Sequence, residues 1–322
     1  MSKKKTGIFS NIRLLGNLKE KSKHWYPPGF QNLSVHTVLR HFFKQFHIPD
    51  ISEKAAAIAY NFIMSIPPTL LFLFTLIPNL PFISKTVLKN ELHALIYNII
   101  PSTVYNTGVI DFVDSLLEGS KFGLISFTFI LSLFFASNAV IGIMRAFNKD
   151  YVGFETIKGL KKRWEAIKLT LMLFGLLLTY FFLLLLQSNI LNWMGIEDST
   201  IKELILIGKW ILIVALIFNT FAFIYRYAPS TTKRWKIISP GAIIATLLSI
   251  GVTIGFTSFV NNFGRYNLLY GSIGTIMVIM VMIFLNSLVV LVGFEFNLSI
   301  HTLKSEEEEK ISTSDFKKKE KN

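Results

Sequence analysis

The chain has 322 residues, 52% of them hydrophobic, a formal net charge of +13 and no cysteine, with a mean hydropathy of +0.50. That balance is too apolar for an ordinary soluble domain, and the lack of thiols excludes a disulfide framework, thiolate catalysis and a Cys-ligated metal. Most of the basic excess flanks apolar stretches, which points to anionic lipid headgroups as partners and not to nucleic acid.

Residues 1–23 carry Lys3, Lys4, Lys5, Arg13, Lys19, Lys21 and Lys23 without a long apolar run. No cleaved signal peptide is expected, and the first span serves as an uncleaved insertion signal. In residues 33–47, Val35, Leu39, Phe42, Phe43 and Phe46 share one helical face while Arg40, His41 and Lys44 lie elsewhere. This pattern predicts a helix lying in the cytoplasmic interface; packing on the protein's own loops is the alternative.

Six apolar stretches follow, at about 55–77, 122–147, 166–190, 204–225, 238–261 and 272–299. Each is near or above the roughly 20 residues that cross a bilayer core. The polar segments between them alternate in basic content. The N-terminal segment is basic, and 78–121 holds only Lys85, Lys89 and Lys121 beside four acids. The next loop has Lys149, Lys158, Lys161, Lys162 and Arg163; Lys202 stands alone after span three; Arg226, Lys233, Arg234 and Lys236 follow span four; Arg265 stands alone after span five. Basic loops stay inside, so both termini are predicted to be cytoplasmic. The fold class is therefore all-α, a polytopic six-span bundle divided into a basic segment 1–54, a membrane domain 55–300 and a charged tail 301–322 that is expected to be disordered.

Polar groups inside the spans are the candidates for function, because burying them in lipid is costly. Span one contains Tyr60, Asn61, Ser65, Pro67 and Pro68. The two prolines remove backbone donors and predict a kink or break. The freed carbonyls form a substrate or ion site on one reading, and a kink satisfied by neighbouring helices on the other. Residues 83–118 suggest two short amphipathic helices broken at Pro101, forming an extracytoplasmic cap. Span two carries Ser137, Asn138, Arg145 and Asn148, with Asn138, Gly142 and Arg145 on one face. Arg145 can snorkel to headgroups, and the Asn138–Gly142 surface suits a close helix contact.

Between spans five and six, Arg265, Tyr270, Gly271 and Ser272 suggest an outer vestibule, although the tyrosines also suit interface anchors. Span six holds Glu295, the one acid of 20 placed within a span. Arg145 and Arg226 fall at a similar depth, so the carboxylate is expected either to pair with one of them or to couple protons or bind substrate.

The segments AAAIAYNFIMSIPP, FFASNAVIGIMRAFNKDY, SPGAIIATLLS and YNLLYGSIGTIMVIM…LVGFEFN, in that order, resemble the motifs of the YihY/BrkB family of bacterial inner-membrane proteins. The resemblance runs from about residue 35 to residue 300. It rests on Ala55, Ala56, Ala59, Tyr60, Ser65, Pro68, Ser137, Asn138, Asn148, Pro240, Gly241, Ala242, Tyr270, Gly271, Ser272, Gly293 and Glu295. Pro67 and Phe294 depart from the family pattern. The resemblance implies a multi-pass protein of the bacterial inner membrane, in a family with one member associated with serum resistance and virulence and with some members once labelled ribonucleases.

This sequence gives the nuclease label no support. Its six histidines are scattered, and His41, His47, Asp50 and Glu53 lack a ligand spacing. No metal, cofactor or catalytic residue is expected. The expected function is transporter- or permease-like, with Tyr60, Asn61, Ser65, Pro68, Ser137, Asn138, Arg145, Asn148 and Glu295 along a polar path. The alternative is a non-transporting envelope protein that handles lipid or scaffolds partners.

Overall fold

The computed structural model describes residues 22–76, 89–90, 93, 110–111, 114, 122–148, 159–194, 199–231, 234–262 and 272–319. Among these the protein is all-helical, without strands. Seven helices are traced: α1 (Val35–Gln45), α2 (Ile48–Leu76), α3 (Phe122–Ala146), α4 (Gly159–Met194), α5 (Ser199–Tyr227), α6 (Pro240–Asn262) and α7 (Ser272–Lys319). Four stretches among the described residues are long and apolar enough to cross a membrane: Ser126–Ala146, Trp210–Tyr227, Pro240–Val260 and Met277–Lys310.

Local chemistry sets the helix ends. Ser34 caps α1 by accepting the Thr37 amide at 3.3 Å. Pro49 occupies the first turn of α2, where its missing donor removes nothing the helix uses, and Asp50 faces the positive end of the helix dipole. Ser239 accepts the Ala242 amide and Pro240 opens α6.

Helix α2 packs most extensively on α3, and α7 packs on α6 and α2; the remaining pairings join α3 to α4, α4 to α5, α5 to α6 and α1 to α7. The core lies toward one end of the bundle. Ile58 of α2, Ile143 of α3, Tyr225 of α5, Ala242 and Ala245 of α6, and Phe294 and Leu298 of α7 are buried together there. Every residue of α7 from Gly293 to Ile300 is buried. Ile211, Leu247 and Ile254 by contrast are each more than 60% exposed, an apolar surface suited to lipid.

Four expectations differ from this arrangement. Helix α2 stays helical through Pro67 and Pro68, so the prolines do not break it. Beside the prolines, Ser65 Oγ donates to the Phe62 carbonyl at 2.6 Å and Thr69 Oγ1 to the Ser65 carbonyl at 2.7 Å, second bonds to carbonyls flanking those of Ile63 and Met64 that the prolines leave without an i+4 donor. The apolar face of α1 rests on the protein itself: Val38 and Phe42 are buried against Phe296 and Ile300 of α7, and only Phe43 is largely exposed. Residues 301–319 continue α7 as helix where a disordered tail is expected. Lys304 pairs with Glu307 at 2.8 Å one turn on, and Thr313 Oγ1 donates to the Glu309 carbonyl, local contacts that support a charged helix. Helix α7 is therefore one element of 48 residues where a 28-residue span and a separate tail were anticipated.

Candidate functional site

Helix α7 is the hub of the polar core. Asn297, 2% exposed, accepts the Gly241 amide on Oδ1 at 2.8 Å and donates from Nδ2 to Ser239 Oγ at 2.9 Å. The Gly241 amide, an otherwise orphaned donor at the start of α6, is thereby satisfied from another helix, while Ser239 Oγ accepts the Ala242 amide. One turn earlier on α7, Gly293 lets α6 approach closely. A Cβ at Gly241 would collide with the Gly293 carbonyl and lie 2.6 Å from Asn297 Cγ; a Cβ at Gly293 would lie 2.8 Å from Ala245 Cβ and collide with the Tyr225 hydroxyl. Tyr225 itself donates to the Val290 carbonyl at 3.0 Å, tying α5 to α7.

A run of rings closes the same end. Phe147 stacks on Phe294 with centroids 3.9 Å apart, Phe294 lies 5.6 Å from Trp235, and Trp235 stacks on the His301 imidazole at 4.7 Å. Burial of these faces joins α3, α7 and the segment before α6. Glu295, 6% exposed, sits within this layer, and its backbone carbonyl accepts from Ser299 Oγ at 2.9 Å.

A second polar contact lies beside span two. Asn138 Oδ1 accepts from Arg163 Nη1, while Arg163 Nη2 donates to the Phe134 carbonyl at 2.9 Å and the guanidinium lies 4.0 Å over the Phe134 ring. Charge counting assigns Arg163 to a cytoplasmic loop, whereas its guanidinium meets the Ser126–Ala146 stretch eight residues, about 12 Å, from the C-terminal end.

The remaining expected residues fall as follows. Asn61 packs against Gly142, where an added Cβ would meet its amide at 3.0 Å, and it donates to the Ala57 carbonyl at 2.7 Å. This is the close helix contact foreseen for the Asn138–Gly142 surface, made by Gly142. Ser137 is fully buried and donates to the Phe134 carbonyl within its own helix. Tyr60 is 60% exposed, Pro68 is half-buried, and Arg145 and Asn148 are exposed. Arg265, Tyr270 and Gly271 lie outside the described residues, as does the side chain of Ser272. The contacts described thus join Asn61 to Gly142 and Asn138 to Arg163. They do not string Tyr60, Ser65, Ser137 and Arg145 into a path.

In the segment between α2 and α3, the described positions Lys89, Asn90, His93, Ile110, Asp111 and Asp114 are all helical. Asp114 takes Lys89 Nζ at 2.9 Å and His93 Nε2 at 2.8 Å. Its carboxyl is held below the usual range, first by the Lys89 hydrogen bond and then by His93. At the opposite end of the molecule, burial lowers the His41 imidazole pKa, opposed by Glu306 and assisted by Lys44. Among the described residues no three His, Cys, Asp or Glu side chains gather as metal ligands.

The sequence reasoning missed Arg163, Asn297, Ser239, Tyr225 and Trp235. Asn297 follows Glu295 by two residues, and an amide within an apolar stretch is the signal the sequence offers for it.

The model of the family Virulence factor BrkB matches residues 42–317. The chain belongs to the BrkB family. Relatives match it over four-fifths or more of its length. The ribonuclease-like protein YfkH of Bacillus subtilis is 28% identical over 270 residues, spanning 83% of this chain and 96% of that protein. A UPF0761 membrane protein of Pseudoalteromonas atlantica is 27% identical, over 88% and 91%. Another, of Alteromonas mediterranea, is 24% identical, over 80% and 86%. No solved structure matches the chain. The BrkB match embraces the Asn138–Arg163 contact and the Ser239–Gly241–Asn297 tie alike.

Proposed function

We propose that this BrkB-family chain is a six-span protein of the bacterial inner membrane with both termini cytoplasmic, and that it is a transporter-like protein for an anionic solute. The observation that carries the reading is the Arg163 guanidinium fixed on Asn138 against a membrane-crossing stretch. A cation retained beside lipid usually serves a substrate or ion pathway. Two bonds and a ring hold this one in a single orientation, as anion recognition requires. Glu295 supplies the other ionisable group and is the candidate for coupling.

Topology is tested on the cysteine-free chain with single cysteines. Ser102→Cys should react with an impermeant maleimide on intact cells, whereas Ser314→Cys should react only after permeabilisation; the reverse pattern would invert the orientation. Function is tested by the lipid and metabolite profile of a null strain complemented with wild type, Arg163→Gln or Glu295→Gln. An anionic compound that accumulates in the null and clears only with wild type names the cargo. Full rescue by both variants would remove transport from the account.

One set of observations favours a second reading, a non-transporting envelope or lipid-handling scaffold: Asn61, Ser65 and Ser137 all spend their polar groups on helix carbonyls. On that reading, deleting residues 83–118 impairs function more than Glu295→Gln does.

A further inference from the structure

A cavity of about 300 Å³ opens where the segment before α1, the segment before α6 and α7 meet. Its outer wall is a strained loop. Gly29, Gln31 and Asn32 have φ of 94°, 51° and 65°, left-handed values that Gln in particular rarely adopts. Gly29 is pressed to Pro240, where an added Cβ would sit 3.1 Å from the ring. Such strain persists only where surrounding contacts impose it, and it gathers at binding sites. Here Gln31 and Asn32 of the loop line the cavity, and Gln31 Nε2 bonds His301 Nδ1 at 3.2 Å.

The lining has a definite charge character. Lys236 and His301 are its basic side chains, Tyr26 is among its lining residues, and no lining residue is acidic. The helix end at the floor is not the binding element, because Asn297 takes the Gly241 amide and Ser239 Oγ takes that of Ala242. Recognition therefore falls to side chains. At the mouth, Tyr26 and Ile238 are 57% and 70% exposed, and Trp25, next to Tyr26, is 62% exposed. Aromatic and aliphatic residues beside a lysine are the composition of the membrane–water boundary.

We propose that this cavity binds a phosphate-ester anion, with Lys236 as its counter-charge and Tyr26, Gln31 and Asn32 as hydrogen-bond donors. Its volume is at the lower end of small-molecule sites, which suits a phosphate bearing a small alcohol. The phosphate belongs either to a lipid headgroup, whose chains would leave past Trp25 and Ile238, or to a soluble ester. The site is independent of the transport reading and requires only these residues.

The full chain in neutral detergent is melted with dihexanoyl phosphatidylglycerol, dihexanoylglycerol or glycerol 3-phosphate. Phosphatidylglycerol is expected to raise the melting temperature saturably. Lys236→Gln should increase the half-saturating concentration about tenfold, the loss of one charge-assisted contact, while Lys44→Gln on exposed α1 leaves it unchanged. Asn32→Gly keeps the left-handed backbone and removes one donor, so it should weaken binding even if the lysine variant proves unstable. Half-saturation by glycerol 3-phosphate at the same concentration supports the site and assigns it to a soluble ester; a requirement for far more supports it and assigns it to lipid. Equal stabilisation by dihexanoylglycerol, which lacks the phosphate, no stabilisation by either anion, or wild-type affinity in both cavity variants overturns it.

Discussion

Gly241→Ala is the sharpest perturbation of the α6–α7 contact. The new methyl carbon would collide with the Gly293 carbonyl, which is backbone and cannot rotate away, and would stand 2.6 Å from Asn297 Cγ. Real Cβ atoms essentially never come within 3.0 Å of such neighbours. The helices must part, and packed cores do not absorb this cheaply: overpacking costs about 1–3 kcal/mol. Parting also stretches the 2.8 Å Gly241–Asn297 bond, and a buried donor left unpaired costs about another 1–3 kcal/mol. Together these give roughly 2–6 kcal/mol, a large share of a typical net stability of about 5–15 kcal/mol.

Helix α6 carries its own controls. Gly251 and Gly255 have nothing within 4 Å of an added Cβ, so alanine there should be neutral or stabilising by up to about 1 kcal/mol through lower chain entropy. Melting of the purified protein in one detergent, followed by tryptophan fluorescence, compares the three variants directly. If Gly241→Ala melts with wild type, or if all three fall together, the close approach of α6 and α7 carries no special weight.

Arg163→Gln should lose roughly 1–3 kcal/mol in the same assay, because two bonds and a ring contact go together; Arg163→Lys should not restore it, since an ammonium cannot span Asn138 and the Phe134 carbonyl. The Asp114 tie has a defined pH window: its folded pKa lies below the unfolded value of about 3.9, so its contribution is complete above that pH and is lost as pH falls through the folded value. Hydrogen exchange across residues 89–114 should accelerate there, and Asp114→Asn should flatten the response. His41 also has a lowered pKa, so docking of α1 is intact above about 6.5 and weakens as pH falls below it; tryptic cleavage at Arg40 and Lys44 should rise over that range, less so in His41→Gln.

Sequence reached the all-helical class through hydropathy alone, because an apolar run long enough to cross a bilayer leaves the backbone few options. It also placed Gly142 in a helix contact, since a missing side chain in an apolar face has few other uses. Partner identity was beyond its reach. Charge counting treats Arg163 as one more loop cation, yet a guanidinium reaches several ångströms and three-dimensional packing sets where it rests. The interfacial face of α1 was read correctly as apolar, but hydrophobic periodicity has no means of telling lipid from Phe296.

The same ambiguity separates Glu295 from Asn297. A carboxylate in an apolar run is conspicuous because its desolvation is large, whereas an amide at the same depth reads as an ordinary helix contact. The structure gives the amide the clearer task, holding the first turn of α6 by two bonds while a glycine pair brings the helices together. A group that fastens the frame at the floor of the phosphate-sized cavity fixes the positions of Ser239 and Pro240 beneath it. Asn297→Ala should therefore disturb the cavity and the melting temperature together, while Lys236→Gln disturbs anion binding alone. Separation of those two effects distinguishes a binding site built on a rigid floor from a depression in a loosely packed surface.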